Sequence, residues 1–339
     1  MRIFSGIQPT GRKHLGNYIG AIRQYVEGQE RAAAAGDVAI YCIVDLHATT
    51  VQYDPAVLRE RLYDTTAILL AAGLDPGRCI LFRQGDVPEH TELCWLLCSV
   101  TALGELSRMH QFRDKSVAQR ELVSAGLLFY PVLQAADVLA YRAVEVPVGE
   151  DQREHLELMR DVATRFNARF GGGRDILVVP EHRIPAVGAR IMDLQDPTRK
   201  MSTTGSSEEG TVYVLDEPGA IEKKMRRAVT DSDDPPAIRR GDDKPGVTNL
   251  IDILAACSAR TPEEVVASLA DARGYGDLKA AAAAAVVEEL RPVRERFAEL
   301  RPDERLLEQT LAAGAEQARA LAGTTLSEVR EAMGVGPPR

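Results

Sequence analysis

The first half of the chain alternates short, continuous apolar runs with longer segments in which apolar residues recur at helical spacing. The runs from Ile3 to Ile7, Val38 to Val44 and Cys79 to Phe82 are typical of strands that are buried on both faces of a parallel sheet. Helices are predicted between them, one from Pro55 to Leu74 and another opened by Pro88. This alternation predicts an α/β fold with a Rossmann-like, doubly wound parallel sheet, whose ligands bind beyond the carboxyl ends of the strands.

The middle of the chain interrupts this alternation. From Leu103 to Phe170 the pattern is mainly helical, and the runs from Ile176 to Val179 and from Arg190 to Leu194 predict a return to the sheet. We therefore predict a Rossmann-like domain at residues 1–210 that contains a helical connective insertion at about 103–175.

The last third of the chain has a different pattern. After Gly210 the strand signals largely stop, so residues 211–339 are predicted to form an α-helical domain. Its helices are expected at Ala220 to Thr230, Val247 to Ala256, Pro262 to Ala272, Leu278 to Leu300 and Pro302 to Met333.

Composition and charge narrow the function classes only slightly. The net charge of −9 argues against a protein that coats nucleic acid by charge alone, although it leaves room for a local basic face. The five cysteines form no C-x-x-C pair and no metal-spaced cluster with the six histidines, so we expect reduced thiols. We find no pattern typical of a signal peptide and no apolar run of membrane length, which favours a cytoplasmic protein.

Two separated segments have the chemistry of phosphate binding. Pro9 to Asn17 lies between a predicted strand and a predicted helix, where backbone N–H groups can face an anion. Arg199 to Gly205 combines two cations with three hydroxyls on a loop that could close over a polyphosphate. Each segment alone is more often a simple connection or a solvated turn. Their order and spacing together make an ATP site the better interpretation.

With these segments in place, the chain resembles the bacterial tryptophanyl-tRNA synthetases, a class I family, over nearly its whole length. The resemblance implies ATP-dependent activation of L-tryptophan to an enzyme-bound adenylate, followed by transfer to tRNA(Trp). Pro9 to Asn17 resembles the family's form of the HIGH signature, and Lys200 to Thr204 its KMSKS loop. The matching segments are Ser5 to Ala21, Val44 to Thr50, Gly104 to Ser116, Tyr130 to Tyr141, Val146 to Asn167, Arg190 to Thr204, and the shorter AVTDSD and KPGVTNLIDIL.

The resemblance also implies roles for individual residues on the ATP side. His14, Asn17, Lys115 and Lys200 are expected to act in catalysis, the two lysines by meeting the departing pyrophosphate. Mg²⁺ is expected to accompany ATP without ligands from the protein. The residues expected to contact ATP are Gln8, Thr10, Gly16 and Asn17 in the first segment, Gly149 and Asp151 near the ribose, Ile191 and Met192 near the adenine, and Lys200 and Ser202 in the second segment.

Amino-acid choice is expected to lie in the segment from Tyr130 to Tyr141. Pro131 fits a first helical turn, which would place Gln134, Asp137 and Tyr141 on one face of the helix. By resemblance, Asp137 accepts the indole N–H of tryptophan. The other residues expected around the amino acid are Phe4, Gly6, His47, Val146, Val148 and Gln152.

The chain departs from the family pattern at two positions. Thr203 stands where the KMSKS loop has its second lysine, so either electrostatic help is reduced or Arg199 or Lys115 replaces it. Gln134 stands where bacterial relatives commonly carry methionine against the indole. Because an amide is costly to bury without a partner, we hypothesise that Gln134 bonds Asp137 or a water and changes the response to indole analogues.

Partners and alternatives follow from the same resemblance. A homodimer is implied, with the helices from Leu93 to Leu106 as the favoured interface. Basic clusters at Lys223-Lys224, Arg226-Arg227 and Arg239-Arg240 could contact tRNA phosphates, or could be a solvated helix face or ion pairs. Two alternatives remain open: the sister enzyme for tyrosine, and a regulatory paralogue that no longer charges tRNA.

Overall fold

The sheet at the centre of the molecule is parallel throughout. The computed structural model describes residues 2–113, 123–147, 149, 152–183, 190–203, 207–233 and 236–336. Within these ranges the five strands of the sheet lie in the order β3-β2-β1-β4-β5, so the direction of strand addition reverses beside β1. Such a reversal opens a crevice at the carboxyl ends of the strands on either side. The strands are β1 (Ile3–Ile7), β2 (Ala39–Ile43), β3 (Cys79–Arg83), β4 (Glu145–Pro147) and β5 (Glu181–Arg183).

Helices cover both faces of the sheet. The first helical segment contains a π-helical turn at Tyr18–Ile22, between α1 and α2. The helices before the last third of the chain are α1 (Leu15–Asn17), α2 (Arg23–Ala34), α3 (Asp45–Ala48), α4 (Pro55–Ala71), α5 (Glu89–Leu97), α6 (Leu103–Arg108), α7 (Ala125–Leu139) and α8 (Arg153–Phe170). Short 3-10 turns lie at Gln84–Asp86 and Cys98–Val100.

The last third of the described chain is helical, as the sequence predicts. Its helices are α9 (Pro218–Arg227), α10 (Pro245–Cys257), α11 (Pro262–Ser268), α12 (Tyr275–Leu300) and α13 (Glu304–Met333). Of these helices, α13 packs directly on β3, whereas α12 packs on α4 and contacts α9 and α10. Leu250 and Leu290 belong to the apolar cluster on one face of the sheet, and Leu326 belongs to the cluster on the other face.

The strand residues explain why both faces need cover. Successive side chains of a strand point to opposite faces, so a continuous apolar run supplies two cores at once. In β2, Tyr41 joins one apolar cluster and Ile40 the other, and Leu81 and Phe82 divide in the same way in β3. The predicted strands at Ile3 to Ile7, Val38 to Val44 and Cys79 to Phe82 are confirmed to within two residues.

Three details of the sequence prediction are wrong. The strand that returns to the sheet is β5, and neither Ile176 to Val179 nor Arg190 to Leu194 is a strand. The strand β4 lies within the predicted helical insertion. Pro131 lies inside α7 and not in its first turn, because Ser124 caps the helix seven residues earlier by accepting a bond from the Leu127 N–H. Strands as short as β4 and β5 carry too few residues to show a period, and the burial of α7 outweighs the helix-breaking tendency of proline.

The contact between α13 and the edge strand β3 depends on a glycine. A Cβ atom built on Gly314 would overlap the backbone carbonyl of Leu81, so α13 can lie against β3 only without a side chain there. We expect Gly314→Ala to lower the free energy of unfolding by about 1–3 kcal/mol, because the helix must move away from the strand. Denaturant unfolding of the purified variant measures this change.

Gly323→Ala is the matched control, since it makes the same substitution in the same helix. Nothing lies within 4 Å of a Cβ built on Gly323. Alanine there should raise stability by about 0.5–1 kcal/mol through helix propensity alone. If both variants changed stability in the same direction, the close approach of α13 to β3 would not be the reason for Gly314.

Candidate active site

A cavity opens beside β1, where the strand order reverses. Its volume is about 410 Å³, within the range of sites for small molecules. Its walls come from β1, the π-helical turn, α3, α7 and the segment that follows β4. The lining residues are Phe4, Ser5, Gly6, Gln8, Gly20, Ala21, Gln24, Tyr25, Val44, His47, Gln111, Tyr130, Gln134, Asp137, Val138, Val146, Pro147, Gly149 and Gln152.

Asp137 is the charged centre of this cavity wall. Its side chain is 2% exposed, and its Oδ2 atom lies 2.8 Å from His47 Nε2. The Gln84 amide donates to Oδ1 at 2.7 Å. The Nδ1 atom of His90 also lies 2.8 Å from Oδ1, but its direction does not suit a hydrogen bond, so we treat this contact as electrostatic.

These contacts determine the charge of Asp137. Burial alone would raise the pKa of the carboxyl, but the hydrogen bond from His47 and the adjacent His90 imidazole outweigh it. The pKa of Asp137 therefore lies below its ordinary value, and the group is ionised at neutral pH. Because an ionised carboxylate only accepts hydrogen bonds, His47 must carry its proton on Nε2.

Most residues that the sequence predicts around the amino acid do line this one cavity. Phe4 stacks on Tyr141 with ring centroids 5.5 Å apart. Gly6 permits close packing, since a Cβ there would lie 3.0 Å from the Val44 side chain. Val148 lies outside the described residues. The predicted residues found in the cavity wall are Phe4, Gly6, His47, Gln134, Asp137, Val146 and Gln152.

Gln134 does not bond Asp137, and that part of the hypothesis is wrong. Its amide nitrogen donates instead to the Gln152 side-chain oxygen at 3.3 Å. The oxygens of Asp137 are contacted by His47, Gln84 and His90, which approach from other elements. Gln134 therefore faces the cavity as part of an amide pair.

The first phosphate-binding segment caps its own helix. Asn17 N–H donates to His14 Nδ1 at 3.3 Å, and His14 N–H donates to the Asn17 side-chain oxygen at 3.1 Å. Burial lowers the pKa of His14 to about 4, helped by the nearby charges of Lys200 and Lys13. His14 is therefore neutral at pH 7.

A buried lysine holds the loop that precedes this helix. Lys13 donates to the backbone carbonyl of Gln8 at 2.7 Å. Burial lowers its pKa to about 8, with Arg61 adding a smaller repulsion. The Thr10 hydroxyl donates to the Gln8 side-chain oxygen at 3.3 Å, so the predicted ATP contacts in this loop are already bonded to one another.

The second segment lies directly against the first. A Cβ built on Gly11 would come within 2.8 Å of the Thr203 Oγ1 atom, and Gly11 has a φ of +66°. The buried side chain of Met201 anchors this loop, and its N–H donates to the Ile191 carbonyl at 3.0 Å. The structure thus brings the two segments together, with Thr203 at their contact.

Comparison with known proteins agrees with this arrangement. A family profile described as "tRNA synthetases class I (W and Y)" matches residues 1–291. The chain is 47% identical over 336 residues to a tryptophan–tRNA ligase of Oceanobacillus iheyensis, and the match covers 98% of each chain. The chain belongs to the bacterial tryptophanyl-tRNA synthetase family.

Solved synthetase structures resemble the whole chain. The tryptophanyl-tRNA synthetase of Mycoplasma pneumoniae is 36% identical with a TM-score of 0.88, covering 99% of this chain and 98% of that one. The Campylobacter jejuni enzyme, solved as a complex with ADP and tryptophan, is 30% identical with a TM-score of 0.81. That match covers 99% of this chain and 100% of the other. The predicted Rossmann-like fold with a C-terminal helical region is confirmed.

The remaining predicted ATP contacts of the synthetase have mixed outcomes. The Met192 N–H donates to the Asn249 side chain at 2.9 Å and its carbonyl accepts from the same side chain at 3.0 Å, so its N–H is engaged while its carbonyl keeps a second lone pair. The Ser202 carbonyl accepts a bond from the Thr211 hydroxyl. A Cβ on Gly16 would press on the His14 ring at 3.1 Å. Lys115 and Asp151 lie outside the described residues, as do Thr204 and Gly205.

Sequence reasoning missed several residues of this site, among them Gln84, His90, Tyr130 and Asn249. Gln84 and His90 contact Asp137, and Tyr130 lines the cavity with its hydroxyl 2.7 Å from His155 Nε2. Asn249 secures the strand-like segment at Met192. For Gln84 the sequence carried a weak signal, because a polar residue directly after a buried strand lies at the end of the sheet where ligands bind.

Several basic side chains of the predicted clusters form ion pairs with nearby carboxylates. Lys224 is buried and pairs with Asp216 at 2.7 Å, while Arg239 and Arg240 pair with Asp243 and Asp252. Exposed basic side chains of α9 remain at Lys223, Arg226 and Arg227.

The described part of the chain holds neither a metal-binding cluster nor a membrane-spanning helix. No three His, Cys, Asp or Glu side chains there are grouped so that they could hold a metal ion. None of the helices that the structure describes is long and apolar enough to span a membrane.

Proposed function

We propose that this synthetase activates L-tryptophan with ATP and transfers it to tRNA(Trp), releasing pyrophosphate and then AMP. The observation that carries the proposal is an ionised, buried Asp137 in the wall of a cavity that also reaches Gln8 of the first signature segment. The tryptophan–tRNA ligase that is 47% identical over nearly the whole chain supports it.

Asp137 supplies the selectivity for tryptophan. Its Oδ2 atom accepts from His47, and a carboxylate oxygen has a second lone pair that can accept the indole N–H. Phenylalanine has no donor and would leave this second lone pair desolvated and unpaired, although Oδ2 keeps its bond from His47. Sites built on such polar groups discriminate by roughly 10⁴–10⁵.

The second half of the proposal concerns ATP. The carboxylate of tryptophan attacks the α-phosphorus in line, the P–O bond to pyrophosphate breaks, and negative charge develops on the leaving group. His14 and Asn17 would exchange their mutual capping bonds for bonds to phosphate oxygens, and Lys200 would stabilise the leaving pyrophosphate. Lys115 and Asp151 keep their predicted roles at the pyrophosphate and the ribose.

Mg²⁺ fits this proposal as a companion of the triphosphate. Among the described residues no group of carboxylates is placed to hold it, whereas triphosphate oxygens are good Mg²⁺ ligands. When bound, the ion would screen charge on the phosphates. The protein residues would bind and orient the nucleotide around it.

The proposal includes the macromolecular partners. Residues 1–210, with the connective insertion at about 103–175, would carry the chemistry, and residues 211–339 would bind the anticodon. The exposed Lys223, Arg226 and Arg227 suit contacts with RNA phosphates. We further propose a cytoplasmic location, where tRNA is charged and thiols stay reduced.

A homodimer is part of the same proposal. Trp95 on α5 is 78% exposed and Leu103 on α6 is 64% exposed, in the segment predicted as the interface. Large exposed apolar side chains in one region are typical of surfaces that associate.

ATP–pyrophosphate exchange tests the proposal. We expect exchange with tryptophan and essentially none with tyrosine, since a phenol places its donor farther from the ring attachment than an indole does. Exchange that depends on tyrosine would favour the sister enzyme. Exchange with tryptophan but no charging of tRNA(Trp) would identify a paralogue that has lost aminoacylation.

A further inference from the structure

Gln84 links the two elements that carry the charged centre of the cavity. It lies in the 3-10 turn directly after β3 and is completely buried. Its amide nitrogen donates to Asp137 Oδ1 at 2.7 Å, and its amide oxygen accepts from the Leu46 N–H of α3 at 3.1 Å. Since one neighbour can only accept and the other can only donate, these contacts determine the orientation of the amide.

A second bond ties the same turn to α3. The Gly85 N–H donates to the Asp45 carboxylate at 2.9 Å. α3 also carries His47, whose Nε2 atom bonds Asp137 Oδ2. The bonds from Gln84 to Asp137 and from His47 to Asp137 are therefore joined through the backbone of α3, where Leu46 precedes His47, and each carboxylate oxygen of Asp137 has its own donor.

This arrangement has a consequence for recognition of the indole. A carboxylate that can rotate about its last torsion presents its oxygens in many directions, because that torsion is broad. With Oδ1 held by Gln84 and Oδ2 held by His47, the remaining lone pair of Oδ2 has one direction. An acceptor with one direction selects a donor at one place in the cavity.

We propose that Gln84 is a positioning residue for tryptophan selection, one that orients Asp137 without touching the amino acid. The inference rests on the proposed role of Asp137 as acceptor of the indole N–H. Gln84 does not line the cavity, although Asp137 and His47 both do. Its influence on the substrate must therefore pass through these two side chains.

The test compares tryptophan with L-3-benzothienylalanine, in which sulfur replaces the indole N–H, as substrates for ATP–pyrophosphate exchange. We expect Gln84→Met to raise the KM for tryptophan about tenfold and to reduce the tryptophan-to-analogue ratio of kcat/KM by a similar factor. The kcat and the KM for ATP should change little. An unchanged ratio in folded enzyme would overturn the proposal.

Gln29→Met is a closely matched control. Gln29 is also a buried glutamine that bridges two groups, since it donates to the Gly73 carbonyl at 2.9 Å and accepts from the Asp75 N–H at 3.1 Å. It lies in α2, does not line the cavity, and bonds the segment that precedes β3. Gln29→Met should lower Tm to a similar degree and leave the substrate ratio unchanged. If both variants lost the preference for tryptophan over the analogue, general destabilisation would explain that loss.

Gln84→Glu keeps the proposal testable if the methionine variant does not fold. The introduced carboxyl would face Asp137, and two adjacent carboxylates share a proton at low pH. We expect the tryptophan-to-analogue ratio to fall as the pH rises and this proton is lost. A ratio that does not depend on pH would contradict a positioning role.

Asp137→Asn separates failure of this inference from failure of the proposed function. If Asp137→Asn leaves the ratio intact, the assignment of Asp137 as the indole acceptor is wrong. If Asp137→Asn removes the preference for tryptophan over the analogue and Gln84→Met does not, only the role of Gln84 is wrong. In the double variant, Gln84→Met should cause no further loss of the ratio.

Discussion

Replacing Lys200 with alanine is expected to slow tryptophan-dependent ATP–pyrophosphate exchange by roughly 100- to 1,000-fold, as for loss of a group that stabilises charge in a transition state. The effect should be large because Thr203 supplies no second ammonium in the loop. The loop itself should stay in place, since Met201 anchors it through its buried side chain and its backbone bond to Ile191.

Binding of tryptophan should change little in this variant. Lys200 is not among the residues that line the cavity around Asp137. Equilibrium titration with tryptophan, set beside the exchange rate, therefore separates the two effects. Equal losses in binding and in exchange would contradict the assigned role. Lys200→Arg keeps a cation at the position and should retain part of the activity.

Asp137→Asn is expected to produce the largest loss of amino-acid selectivity. We expect the KM for tryptophan to rise roughly 100-fold, because an N–H acceptor on a buried carboxylate is replaced by a neutral amide. An amide also brings its own N–H₂ group, which cannot satisfy both His47 and Gln84 as the carboxylate does.

Competition between tryptophan and phenylalanine measures this prediction. The preference for tryptophan should fall by several orders of magnitude from roughly 10⁴–10⁵ in the unaltered enzyme. Thermal unfolding of the variant serves as the control for folding. A variant that is stable and still rejects phenylalanine would show that another group reads the indole.

The low pKa of Asp137 adds a pH dependence to this picture. Its folded-state pKa is depressed, so its contribution to stability is present above the ordinary carboxyl pKa and is lost as the pH falls through the lower folded value. Indole recognition by the ionised group should accordingly persist below the pH at which an exposed aspartate becomes protonated.

The central strands could be predicted because they are long and apolar on both faces. Two apolar cores receive side chains from each of the strands β1, β2 and β3. A strand that is buried on both faces needs apolar residues at successive positions, and the sequence shows such runs. β4 and β5 escaped prediction for the opposite reason. Each has three residues, and their place in the sheet is set by neighbouring strands rather than by their own pattern.

In the candidate site, too, some contacts were predicted and others were not. Asp137 and His47 were predicted from a resemblance, and they do meet, 2.8 Å apart in one cavity wall. Gln134 was expected to bond Asp137 or a water, because an amide is costly to bury without a partner. It bonds Gln152 instead, since Asp137 is surrounded by partners that are distant in sequence.

The sequence by itself determined the alternation of strands and helices, the helical last third and the two signature segments near Gly11 and Lys200. These features are local, because periodicity and turn chemistry are written into neighbouring residues. Only the tertiary structure decided that Thr203 lies against Gly11, and that Gln84 bonds the Asp137 carboxylate on the oxygen that His47 leaves open. Such contacts join residues far apart in the chain, and their partners are selected by how helices pack on the sheet, which no local pattern records.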